Sequence, residues 1–258
     1  MKKIMLGLLT VVALASAQVF AADALKQLRI GVEGAYPPFS EKAADGSLKG
    51  FDIDIAYALC AQMKVECVLV ETAFDSMIPS LNVRKIDAVI ASLSITDERK
   101  KSVNFSDKYY HTPSRMVARS DSKFVVTPEG MNGKRIGVQR GTTHDKYATD
   151  FFSKAQMTRY AKQDEVFLDM VSGRLDAAVV DSIAADQGFL KTPSGKGFGF
   201  IGPAFTDPKY FGTGAGIALR KTDADLLARV NKAIVAMRKD GTYTKIQQKY
   251  FSFDVYGQ

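Results

Sequence analysis

The stretch Ala91-Ser92-Leu93-Ser94-Ile95-Thr96-Asp97-Glu98-Arg99 carries the residue types for anion capture. It follows the apolar strand-like run Ile86–Ile90 and leads into a helix start. Thr96 reads as the N-cap, with Asp97 and Glu98 in the first turn, where acid suits the helix dipole. Arg99 does not suit it, so its guanidinium calls for another role. Small hydroxyls, unpaired backbone N–H groups and a guanidinium at a strand end make a trap for a carboxylate or phosphate. The alternative is a surface loop with a solvated arginine.

The other chemistry-bearing residues fall at strand ends too. Glu33 and Tyr36 follow the first strand, Phe74 opens a helix, and Asp181 follows Val180. Gln139-Arg140-Gly141-Thr142-Thr143-His144 repeats the trap in type: a small, hydroxyl-rich turn at a helix start. Two such helix starts facing one another can both donate N–H groups to one carboxylate. Asp181 can accept from an ammonium, Glu33 can meet a second cation, and Tyr36 and Phe74 can stack on it. One arginine, two acids and flanking aromatics suit a small molecule with one carboxylate and two cationic groups. Plainer roles exist: Asp181 as an N-cap, Tyr36 and Phe74 as core aromatics. Glu33 at a buried strand end resists such a reading, because an unpaired buried carboxylate is costly.

The elements that must position these residues read as β-α-β-α-β: strand 28–33, helix 51–63, strand 65–70, helix 74–83 and strand 86–90. Mostly apolar strands imply a mostly parallel sheet covered on both faces. A second pass echoes the first: Arg135-Ile136-Gly137-Val138-Gln139 matches Arg29-Ile30-Gly31-Val32-Glu33, and Arg174-Leu175-Asp176-Ala177-Ala178-Val179 matches Lys85-Ile86-Asp87-Ala88-Val89. Helices 143–152, 164–172 and 181–190, a short strand at 158–160 and a Gly-rich region at 195–202 accompany it. A strand at 217–219 and helices 224–239 and 243–250 close the chain. The pattern gives two α/β lobes, residues 23–112 with 207–258 and residues 113–206. Two crossings form a hinge, with the ligand cleft between the lobes.

Met1-Lys2-Lys3 followed by the apolar Ile4–Ala15 reads as a leader peptide, residues 1–22, with cleavage after Ala21 expected. Its removal with Lys2 and Lys3 takes the formal net charge from +7 to +5. Lys and Arg are scattered, so no nucleic-acid partner is implied. The hydrophobic fraction is 46% and the charged fraction 24%, as in globular chains. Cys60 and Cys67 lie in the exported part, in a helix-to-strand connection, which favours a disulfide; two buried thiols are the alternative. Neither of the two histidines is near the pair, so no metal site is expected. There is no P-loop and no His-Glu-x-x-His, and Gly212-Thr213-Gly214-Ala215-Gly216 runs into a strand, so no cofactor is expected.

Whole segments resemble the periplasmic solute-binding proteins of ABC importers for polar amino acids. Gly50-Phe51-Asp52-Ile53-Asp54-Ile55 resembles the family signature. Phe74–Leu81, Ser92–Arg99 and Lys249–Gly257 resemble the branch that includes lysine/arginine/ornithine-binding and histidine-binding proteins. The resemblance implies a two-lobed periplasmic-binding-protein-like α/β fold, a monomer in the periplasm, and delivery of a cationic L-amino acid to a membrane permease. It implies a disulfide between Cys60 and Cys67. It further implies that Arg99 clamps the α-carboxylate with the N–H groups of Ser94 and Thr142. Asp181 and Ser92 would take the α-ammonium, with Asp52 assisting through water. Tyr36 and Phe74 would sandwich the side chain, and Glu33 would hold its distal cation. Ala91, Leu93, Gln139, Thr143 and His144 complete the expected site. Three positions depart from the family's pattern: Glu33 where Asp is frequent, Ala91 where Ser is frequent, and His144 where Gln is frequent. Arginine or ornithine is expected first, then lysine or histidine. The alternatives are a dehydratase-like enzyme on the same fold, with Glu33, His144 and Asp181 as acid–base groups, and a soluble sensor that signals to a receptor.

Overall fold

The computed structural model describes residues 25–257; the expected leader lies outside the described residues. The chain opens with Gln27–Val32 (β1), whose Leu28, Ile30 and Val32 are fully buried. Ala35–Tyr36 (β2), Ser40–Lys42 (β3) and Leu48–Lys49 (β4) form a small antiparallel sheet. Phe51–Met63 (α1) follows, with Phe51, Ile55 and Leu59 buried at helical spacing. Its N-cap, Gly50, has φ +130°, and a Cβ there would lie 2.3 Å from the Phe39 carbonyl oxygen. Only glycine fits both demands.

Glu66–Glu71 (β5) comes next. The helix expected over 74–83 is a 3₁₀ turn at Phe74–Ser76 running into Met77–Asn82 (α2). Ala88–Val89 (β6), Asp97–Lys100 (α3) and Asn104–Tyr110 (β7) complete this part. The second part holds Ser114–Arg119 (β8), Arg135–Gln139 (β9), Thr143–Phe151 (α4), Gln156–Tyr160 (β10), Gln163–Val171 (α5) and Ala177–Asp181 (β11). Ser182–Ala185 (α6) turns into a π-helical turn at Asp186–Leu190. The Gly-rich region is in fact a strand, Phe198–Phe205 (β12). It lies at the sheet edge with a register shift between Ile201 and Phe205, and an edge admits Gly202 and Pro203. Pro208–Phe211 (α7), Ala215–Leu219 (β13), Ala224–Lys239 (α8) and Thr242–Tyr250 (α9) end the chain.

Two five-stranded sheets result, in the orders β5-β1-β6-β13-β7 and β10-β9-β11-β8-β12. In each, the first three strands are parallel, and the remaining pairings are antiparallel where the chain crosses over. The chain leaves the first sheet after Tyr110 and rejoins it at Ala215. The expected return at 207 falls ahead of α7, whose Phe211 packs with Tyr147 and Phe205 of the second lobe. Each half holds an equivalent ion pair. Arg29 grips Asp87 at 2.8 Å through Nε and Nη2, and Arg135 grips Asp176 at 3.1 and 2.7 Å. Each pair ties the parallel strand beside the central one, β1 or β9, to the residue just before the central strand, β6 or β11, and this is the physical content of the sequence echo. α8 buries Val230, Ala233, Ile234 and Met237 on one face beside α1. Burying each of the larger of these side chains stabilises by roughly 1.5–3 kcal/mol. Cys60 and Cys67 are joined as a disulfide across the α1–β5 turn, with Cα atoms 5.6 Å apart.

Candidate functional site

The parallel strands of both sheets end at the cleft between the lobes. Glu33 follows β1, and Ala91 to Ser94 follow β6. Gln139 ends β9, and Asp181 ends β11. Two adjoining compartments lie there. Glu33, Tyr36, Phe74, Ala91, Ser92, Ser94, Arg99, Gln139, Thr142, Thr143 and His144 line the first. Tyr36, Ser92, Ser94, His144 and Asp181 line the second, together with residues of the two crossings: Tyr110, His111, Thr112, Ser114, Phe211, Gly214 and Ala215.

Thr96 caps α3 as expected, its hydroxyl accepting from the Arg99 N–H. The Arg99 guanidinium lies over the Phe74 ring, 5.6 Å from its centroid. Nη1 donates to the Ser94 carbonyl at 3.0 Å, and Nη2 donates across the cleft to the Gly141 carbonyl at 3.1 Å. Both partners are neutral, and among the described residues Arg99 has no ion pair. Burial pushes its pKa down to about 10. Ser94 itself sits opposite Ala215 in an isolated antiparallel bridge. The bonds of that bridge run through its neighbours, so the Ser94 N–H points away from Ala215.

Ser92 has φ +53°, a left-handed conformation that a serine adopts only when held there. Its hydroxyl donates to Asp52 Oδ2 at 2.9 Å, and its N–H donates to the Tyr109 hydroxyl at 3.2 Å. Tyr109 in turn donates to Asp52 Oδ1 at 2.9 Å. Asp52 is fully buried and does not line either compartment; it fixes Ser92 from behind. Burial lifts its pKa to about 7, while the two donors hold it down. Leu93 also faces away, into the apolar cluster with Met77, Leu81 and Val103. Its carbonyl accepts from Gly216 N–H.

On the second lobe, Thr142 caps α4 by accepting from the Asp145 N–H, and its hydroxyl donates to the Gln139 carbonyl at 2.7 Å. Gln139 Nε2 donates to Glu33 Oε1 across the cleft at 2.5 Å. Glu33 is 5% exposed, and burial lifts its pKa to about 7 against the pull of Gln139. Asp181 caps α6, accepting from Ile183 and Ala184 N–H at 2.8 and 3.0 Å, and Thr112 donates to its other oxygen. Burial raises its pKa. His144 is buried and held neutral, down to about 3, by burial and by Arg99. The charge it feels is therefore the one at the Arg99 end of the cleft.

The arrangement opposes one guanidinium to two buried carboxylates at separate strand ends. The crossing residues that line the second compartment escape a reading by strand ends. Their signal was the crossing itself, at His111-Thr112-Pro113-Ser114 and near Gly214.

Residues 28–253 match the family of bacterial extracellular solute-binding proteins, family 3. An L-arginine-binding protein of Pseudomonas aeruginosa is 53% identical over the full length of this chain and 99% of its own. The lysine/arginine/ornithine-binding periplasmic protein of Escherichia coli is 46% identical, with both chains fully covered. A solved structure of a Salmonella typhimurium periplasmic binding protein, described for its high arginine specificity, superposes with a TM-score of 0.82. It is 32% identical, and the match covers 88% of this chain and all of that one.

Proposed function

The chain belongs to the bacterial extracellular solute-binding proteins of family 3, and we propose that it captures a cationic L-amino acid in the periplasm and hands it to an ABC transporter permease. Arginine stands first among the candidates, then ornithine, then lysine or histidine. The observation that carries this reading is the charge pattern of the cleft. Among the described residues Arg99 forms no ion pair with a carboxylate, and Glu33 and Asp181 form none with a cation. A ligand with an α-carboxylate, an α-ammonium and a distal cation complements all three.

In this reading Arg99 clamps the α-carboxylate, helped by the N–H groups of Ser94 and Thr142. Asp181 and Ser92 receive the α-ammonium. Tyr36 and Phe74 flank the side chain, Glu33 holds the distal cation, and Ala91, Thr143 and His144 wall the chamber. Asp52 serves through Ser92. Residues 1–22 act as a leader for export.

A thermal-shift panel of the twenty amino acids with ornithine, citrulline and agmatine tests the proposal. Ligands that bind the folded state raise its midpoint as RT ln(1 + [L]/Kd). The expected leaders are arginine and ornithine, and a leading neutral or acidic amino acid contradicts the reading.

A further inference from the structure

Gln139 is 1% exposed and sits at the end of β9, where the cleft meets the Glu33 carboxylate. Its side-chain nitrogen has two acceptors, Glu33 Oε1 at 2.5 Å and the Ala161 carbonyl at 3.4 Å. Neither acceptor can donate when Glu33 is ionised, so the two N–H groups must face them. The amide orientation follows from its neighbours, not from a choice between look-alike atoms. The remaining atom, Oε1, takes no hydrogen bond among the described residues. Gln139 lines the compartment with Glu33. Thr142 fixes the Gln139 backbone from the other side.

We infer that Gln139 is a specificity-determining residue, its carbonyl oxygen standing beside the Glu33 carboxylate to receive a second donor from a guanidinium. The inference rests on the proposed capture of a cationic amino acid and deepens it. The Glu33–Gln139 hydrogen bond sets two acceptors side by side, one charged and one neutral, from opposite lobes. A guanidinium presents several donors fixed in one plane and reads two adjacent acceptors at once. A lysine ammonium offers its donors from a single atom and is satisfied by the carboxylate. Ala91 adds no hydroxyl to this wall, so Gln139 supplies the neutral acceptor there.

The test is calorimetric titration of L-arginine and L-lysine into the wild type, Gln139→Leu and Gln139→Met, with Glu33→Gln as comparator. Removing one hydrogen bond to a charged donor predicts that arginine weakens by about 10- to 100-fold in both Gln139 variants. Lysine should change by less than about threefold, because Glu33 keeps its charge and loses only a competitor. Glu33→Gln should weaken both ligands. The thermal midpoint of each free variant is measured alongside, and the arginine-to-lysine ratio is read on the variant that keeps the wild-type midpoint. Equal losses for both ligands, or arginine affinity retained, overturn the role of Gln139 while leaving the cationic ligand in place. A wild type that binds neither of these, nor ornithine nor histidine in the same titration, overturns the proposed function itself.

Discussion

Arg99 Nη2, on the first lobe, donates to the Gly141 carbonyl of the second at 3.1 Å, while Nη1 holds Ser94 at 3.0 Å. One side chain therefore touches both walls of the cleft and, among the described residues, forms no ion pair. A guanidinium in that position costs stability, because burial disfavours the charged form and neutral carbonyls return only part of the loss.

The first prediction follows from that cost. Arg99→Ala should weaken arginine by more than about 100-fold, since the ligand carboxylate would be buried unpaired at a cost of roughly 3–5 kcal/mol. The free protein should lose no thermal stability. Calorimetry and a melting curve check the two halves, and near-wild-type affinity would sink the carboxylate clamp.

Glu33 gives a pH prediction with a definite sign. Its pKa rises from 4.5 to about 7 on folding. The free folded state therefore binds more protons than the unfolded chain between those values, and stability falls as pH rises through that window. Glu33→Gln removes the effect, so at pH 8 the free variant should melt higher than wild type. The advantage should fade as pH falls to the ordinary carboxylate range. Arginine needs the ionised form, so wild-type affinity should drop below neutral pH by up to about tenfold per unit, with a proton released on binding. Titrations in two buffers of different ionisation heat measure that proton. Unchanged proton release in Glu33→Gln contradicts the assignment.

How much of this was legible beforehand depends on range. The Thr96 cap and the spans of α1 and α8 are local patterns, and each appears where its pattern put it. β12 was hidden because Gly199, Gly202 and Pro203 signal a loop, and only its edge position beside β8 makes a strand of them. Leu93 sits inside the anion-trap stretch by sequence, but strand alternation after β6 turns its side chain into the core. Thr112 reaches Asp181 only because β8 and β11 pair antiparallel, a contact no local spacing encodes.

The support behind Ser92 makes a third prediction. Asp52→Asn leaves an amide facing two donors, the Ser92 and Tyr109 hydroxyls. One of its hydrogen bonds must break or invert. The expected cost is about 1–3 kcal/mol in stability, with a matching loss of arginine affinity as Ser92 relaxes from its left-handed conformation. Denaturant melts and titrations measure both, and full stability with full affinity would show that Ser92 holds itself.

The disulfide predicts the opposite pairing of effects. Cys60–Cys67 closes a short loop at the far end of α1 from Ser92 and Asp52. Replacing both with alanine should cost roughly 2–3 kcal/mol by the loop-closure argument. Arginine affinity should stay unchanged, because neither cysteine lines the cleft. An affinity loss with retained stability would place the pair in the binding machinery.

The most direct test of the three-point charge match is calorimetry of the wild type with L-arginine, citrulline and agmatine. Citrulline keeps the shape of arginine without its distal charge, and agmatine lacks the α-carboxylate. Arginine should bind at least about 100-fold more tightly than either, because each analogue leaves a buried charge of the cleft unpaired. Citrulline binding as well as arginine would refute Glu33 as the distal anchor, and agmatine binding as well as arginine would refute Arg99 as the carboxylate clamp.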